Sequence, residues 1–193
     1  MKSLLISFFL LNTLFVFSQE QVDTLSKTNY SPKIIRINFQ VNTLQSVNIS
    51  DSTGNTNNVK NNSFAIGVEC IAKHHPGINY GVGVLYEFKS TVKALNGELG
   101  NLPIYCFFDY QVNENKQLPI LLSARIGVSF PLVKGDMKKL SGGLYHSVGI
   151  TTNLSDRAQF KLQYSNDYCE ITKEAKDYSL NIGSLNFVLS FLF

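Results

Sequence analysis

This chain is poor in charge. Of its 193 residues only 16% are Asp, Glu, Lys or Arg, against about 25% in soluble domains, and that deficit points to an outer surface that is not wholly hydrated. The formal net charge of +3 is spread along the chain without a basic run, which argues against nucleic acid as a partner. Cysteine is scarce as well. Cys70, Cys106 and Cys169 are odd in number and far apart, with neither the short paired spacing of a zinc site nor a disulfide framework. They read as small apolar side chains, with one bridge at most.

A membrane helix is missing too, because no segment after residue 18 is a continuous apolar run of the required length. The one apolar stretch opens the chain, "MKSLLISFFLLNTLFVFSQE". Lys2 supplies a positive start, Leu4 to Phe17 an apolar core too short and too interrupted to span comfortably, and Val16 and Ser18 a small-residue cleavage site. Residues 1–18 are therefore expected to be a secretory signal cut before Gln19, a retained anchor being the other reading. No cysteine follows the cut, so a lipoprotein anchor is not expected. The remaining length suits one domain.

What is present is alternation. In "KIIRINFQVN" (33–42) Ile35, Ile37, Phe39 and Val41 oppose Arg36, Asn38, Gln40 and Asn42, the period of a strand with one greasy and one wet face. The pattern recurs at 63–73, 78–89, 101–112, 118–130, 143–153, 157–165 and 178–193, which predicts eight strands. In the last of these the apolar set changes parity, from Tyr178, Leu180 and Ile182 to Leu185, Phe187, Leu189, Phe191 and Phe193, and a bulge near Gly183 and Ser184 would explain the slip. Val47 and Ile49 continue the outward parity of strand one, so the hairpin after it is expected to protrude.

Connections alternate between long (43–62, 90–100, 131–142, 166–177) and short (74–77, 113–117, 154–156). That rhythm separates the two rims of an up-and-down antiparallel barrel. Which face is outside follows from size and charge. The bulky set is Phe, Tyr, Ile, Val and Leu, whereas the opposite set mixes small residues with Arg36, Glu69, Glu87, Asp109, Arg125 and Lys161. An eight-stranded lumen is filled by side chains, so the smaller, mutually charged set is expected inside as a paired polar network that plugs it. The expected fold is all-β: an eight-stranded antiparallel up-and-down transmembrane β-barrel over residues 33–193, with Tyr80, Tyr86, Phe88, Phe130, Tyr164 and Phe193 toward the interfaces. The opposite sense would be a secreted soluble barrel of the lipocalin kind, binding a small apolar ligand.

The signal segment, the eight alternating stretches, the hairpins "LPIYCFFDYQVNENKQLPILLSARIGVSFPL" and "GGLYHSVGITTNLSDRAQFKLQYS", and the final "NFVLSFLF" together resemble the small outer-membrane β-barrel proteins of Gram-negative bacteria, OmpA-like, OmpX-like and PorT-like. The resemblance implies fold and compartment, with residues 19–32 a short periplasmic lead-in and outer-membrane lipid as surroundings. It further implies that the barrel-assembly machinery reads the aromatic last strand, through Phe187, Phe191 and Phe193. No peptidoglycan-binding segment follows that strand, so a cell-wall tether is not expected.

Chemistry is thinly represented. A lipid-modifying barrel needs His and Ser on one outward face, but His146 and Ser147 are adjacent and point oppositely. His74 and His75 lie in a short turn with no third metal ligand near them. The "GVGV" of Gly81 to Val84 lies within a strand and opens no helix, so its inward glycines read as room for larger neighbours. The sequons at Asn48 and Asn61 carry no weight. The reading is a monomer without cofactor, metal or catalysis, in a structural or surface-recognition role, with any extracellular ligand at the long loops.

Overall fold

The computed structural model describes residues 34–193 except 53, 76, 114–118, 135–136 and 174–175; the signal and lead-in segments lie outside the described residues. In chain order the strands are β1 (Ile34–Asp51), β2 (Gly54–Val59), β3 (Ser63–His75), β4 (Ile78–Glu87), β5 (Ser90–Val92), β6 (Gly97–Gln111), β7 (Ile120–Lys134), β8 (Met137–Asn153), β9 (Ala158–Lys173) and β10 (Lys176–Leu192), with one 3-10 turn at Lys93–Leu95. β1, β3, β4, β6, β7, β8, β9 and β10 pair antiparallel in succession, and β10 returns to β1. The ring is sealed where Phe193 and Ile35 exchange backbone hydrogen bonds of 2.9 and 3.1 Å. Closure leaves these eight strands no edge within the ring. β2 and β5 stand off the ring, paired to β1 and β6.

The register sets the tilt. A walk across paired residues runs Arg36, Glu69, Gly83, Tyr105, Gly127, Tyr145, Asp167, Ile182, Val47. It returns to β1 eleven residues above its start, one of them the extra residue of a bulge, so the shear is ten for eight strands. Shear above zero forces the strands to lean, by about 35–45° in barrels of this kind. Residues at one height therefore come from different rows of the walk, which is why Arg36 meets Asp109 and Gln159 as well as Glu69.

Below the level of Gly183 the faces divide by solvent. Ile35, Phe39, Val41, Ile66, Val84, Phe108, Leu122, Ile126, Val148, Leu162 and Leu189 face outward and are exposed, whereas Arg36, Asn38, Gln40, Glu69, Asp109, Arg125 and Lys161 are buried inside. Tyr80, Tyr86, Phe88, Tyr164 and Phe193 are exposed as well, and Phe130 is half-buried. A belt of this kind meets hydrocarbon, and a lumen of this kind would be unstable reversed.

Above that level the division inverts. Val47, Ile49, Val92, Leu95, Leu99, Cys169, Ile171, Leu180 and Ile182 pack into one apolar core inside the upper barrel, while Ser46, Asn48, Tyr168 and Glu170 face out. This overturns the expectation that Val47 and Ile49 point outward: they are 0% and 5% exposed. The cause is a bulge at Leu44, where φ is +48° and the β1–β10 register shifts between Thr43 and Ser46. The bulge exchanges the faces of β1 just where the surroundings change, so two reversals cancel in the sequence. In β10 the reverse holds. Its pairing with β9 runs unbroken from Lys176↔Lys173 to Phe191↔Ala158, so the expected bulge near Gly183 and Ser184 is absent. Leu180, Ile182, Ser184, Asn186 and Val188 all face inward. The parity slip records a change of solvent, not of backbone.

The long connections are also mostly strand. β1 continues to Asp51, β7 to Lys134 and β9 to Lys173, and β6, β8 and β10 begin at Gly97, Met137 and Lys176. The long-strand rim is therefore a β extension built round its own core.

Candidate functional site

Of the six charged residues expected to face inward, five converge; Lys60 and Asp167 are buried inside as well. The Nε of Arg36 donates to Oε2 of Glu69, and its Nη1 reaches Oδ2 of Asp109 at 2.9 Å and Oε1 of Gln159 at 3.0 Å. Nη2 of Arg125 lies 2.7 Å from Oε1 of Glu69, and Nζ of Lys161 lies 3.5 Å from Oε2. The hydroxyl of Tyr105 donates to Oε1 of Glu69 at 2.9 Å. Ser123 donates to Oδ1 of Asp109 at 2.7 Å and lies 2.8 Å from Thr151. Three cations thus surround Glu69, and the two guanidiniums lie over rings, Arg36 at 4.8 Å from Phe107 and Arg125 at 5.1 Å from Tyr105.

Glu87 does not join them. It sits higher, where Oε1 accepts from Nζ of Lys60 at 2.6 Å, Oγ of Ser63 at 2.5 Å and Nε2 of Gln45 at 3.0 Å. Asn101 approaches its other oxygen at 3.3 Å. The expected single network is therefore two: charges of opposite sign must be within reach to pair, and the shear carries Glu87 above the Glu69 layer. Lys60 and Gln45 escape a reading of the sequence because they flank chain irregularities, the Leu44 bulge and the break after β2, where alternation has no phase.

Small residues make the room. A Cβ on Gly83 would lie 2.7 Å from Cγ of Glu69 and 2.8 Å from the Tyr105 ring. Gly83→Val is expected to push that ring and carboxylate apart and to cost about 1–3 kcal/mol, whereas outward Val82→Ile should leave stability unchanged. Thermal unfolding of the two variants by circular dichroism checks the difference.

A cavity of about 190 Å³ opens at the short-turn mouth, lined by Asn79, Gln111, Asn153 and Gln159 among others. It meets the Arg36 layer at Gln159. Above come the Glu69 layer, the Glu87 layer and the apolar core in turn. Elsewhere, Ser147 is buried in the lumen, while His146 lies on the outer face with its ring 6.5 Å from that of Tyr168, so the two do not meet. The side chains of His74 and His75 lie outside the described residues. Among the described residues no three His, Cys, Asp or Glu side chains are grouped to hold a metal ion, and the three cysteines are unbridged. Phe187, Phe191 and Phe193 line the outer face of the last strand.

No protein-family model matches the sequence, and no curated protein matches it. Among solved structures the barrel is similar to Neisserial surface protein A, with a TM-score of 0.54 at 15% identity, covering 82% of this chain and 97% of that one. It is likewise similar to the outer membrane protein OprG from Pseudomonas aeruginosa, with a TM-score of 0.52 at 14% identity, covering 83% and 95%. The chain has the fold of the small eight-stranded outer-membrane β-barrels.

Proposed function

We propose that this chain is a monomeric outer-membrane barrel that carries no catalysis and presents its extended rim to the cell exterior for recognition. The observation that carries this reading is the filling of the interior: two ion-paired layers below and an apolar core above leave the rim as the part that meets the surroundings. Outer-membrane lipid covers the apolar belt. The rim is largely strand round its own core, which favours recognition, because a preordered surface loses little entropy on binding. In this reading assembly factors engage β10 through Phe187, Phe191 and Phe193, the strand that must close against β1.

The plug is tested electrically. Purified protein in a planar bilayer is expected to show no steady large conductance, since moving an ion past Glu69 means breaking buried pairs. A stable ion-selective current through the wild-type protein would overturn the recognition reading in favour of a pore.

A further inference from the structure

We propose that the Glu69 layer is a binding site for one small monovalent anion of the chloride class, seated on its mouth side behind Gln159 and held by Arg36 and Lys161. Counted by charge, the layer is unbalanced. Arg36, Arg125 and Lys161 face only Glu69 and Asp109, and all five are buried, none more than 3% exposed. Asp167 does not supply the missing negative charge. Among the described residues it makes no ion pair with the three cations, and its charged neighbours are Glu87 and Lys60, in a layer that already has more carboxylate than cation. A net positive charge out of water is tolerated only when a counter-charge lies within reach.

Hydrogen bonding shows the same surplus. Every carboxylate oxygen of the layer is taken: Oε1 of Glu69 by Tyr105 and Arg125, Oε2 by Arg36 and Lys161, Oδ1 of Asp109 by Ser123 and Oδ2 by Arg36. Nη2 of Arg36, Nη1 of Arg125 and Nζ of Lys161 are nevertheless buried without a hydrogen-bond partner. All three cations hold the same carboxylate, so their unused N–H groups are gathered in one layer. Water would satisfy such donors and leave the charge unpaired, whereas an anion does both.

Room and access lie at the mouth. The cavity of about 190 Å³ reaches Gln159, whose Oε1 accepts from Nη1 of Arg36 at 3.0 Å, and Lys161 is the next inward residue of β9. Elsewhere round Glu69 the packing is tight, since a Cβ on Gly83 would lie 2.7 Å from its Cγ. The cavity lining is mostly uncharged. Asn79, Gln111, Asn153 and Gln159 are carboxamides that can turn a donor to an ion, and Asp156, the one charged residue lining the cavity, is exposed beside Arg157. A surplus of a single charge selects a monovalent ion, and the confined space behind Gln159 selects one the size of chloride over an organic acid. The layers above make this a dead end, so the site is compatible with a barrel that carries no steady current.

The test is urea unfolding of protein refolded in chloride-free detergent, with sodium gluconate exchanged for sodium chloride at constant ionic strength. One bound ion lowers the unfolding equilibrium constant about tenfold for each tenfold rise in chloride well beyond half-saturation, and bromide should act alike. Two variants remove the surplus in different ways. Lys161→Met deletes a cation, and Gln159→Glu adds a carboxylate at the cavity floor with almost no change of shape; each should reduce the dependence to less than about twofold over the same range. Asp156→Asn changes a charge at the same mouth but outside the layer and should keep the full dependence. A retained heat-modifiable gel shift shows that each variant is folded. A wild-type protein indifferent to chloride would mean that Lys161 is held uncharged, and dependence kept by either Lys161→Met or Gln159→Glu would mean a general salt effect. Either result overturns the anion site and spares the recognition reading, which does not depend on it.

Discussion

Replacing Glu69 with alanine is expected to cost the folded barrel about 3–5 kcal/mol, the usual result of removing one partner from a buried ion pair. The carboxylate is fully buried and touches Arg36, Arg125 and Lys161 at once. Its loss leaves Asp109, bonded to Arg36, as the one remaining carboxylate of the layer among three cations. Lys161→Met should behave differently. The layer holds three cations and two carboxylates, so removing the cation with the longest contact, 3.5 Å, leaves the charges equal in number, and the change should stay within about 1 kcal/mol. The chain has no tryptophan, so urea unfolding in lipid vesicles is best followed by far-ultraviolet circular dichroism. A Lys161→Met loss as large as that of Glu69→Ala would mean that the layer is held by packing and not by charge.

That layer was legible from the sequence because one rule governs the whole lower barrel. Lipid outside and a narrow polar lumen inside impose a single polarity on every strand for its full membrane height, and residues two apart then report the same face. Arg36, Glu69, Asp109, Arg125 and Lys161 stand out as charges inside such runs. The rule stops at the membrane boundary. There the outside becomes water and the inside becomes the apolar core, so period 2 persists while its meaning reverses.

β10 shows the reversal without a bulge, and β1 shows a bulge whose effect the reversal hides; neither can be told from the other in one strand alone. Pairing settles it, and pairing is long-range information. The same blindness removed Lys60 and Gln45, which lie where register and phase both break. Glycine, by contrast, was readable locally: Gly83 sits on the inward parity of β4, and an inward glycine between strands that carry Glu69 and Tyr105 is a place where a side chain has no room.

The reversal itself yields the second large effect. Val84 faces outward at the middle of the apolar run from Tyr80 to Phe88, and Val84→Arg is expected to cost about 2–4 kcal/mol because the charge enters hydrocarbon. Asn48 also faces outward, but above the boundary, and Asn48→Arg should change stability by no more than about 0.5 kcal/mol, as an exposed substitution does. On the inner side the order is opposite. Leu180 is 1% exposed within the upper core, so Leu180→Asp should cost at least the roughly 2–5 kcal/mol of a leucine cavity and add the burden of an unpaired buried carboxylate. Unfolding of the three variants in vesicles of one lipid gives the comparison. If Asn48→Arg were as damaging as Val84→Arg, the boundary would lie above Asn48 and the upper barrel would be immersed in lipid. If Leu180→Asp were mild, water would have access to the upper core, and the rim would be a lined opening in place of a solid tip.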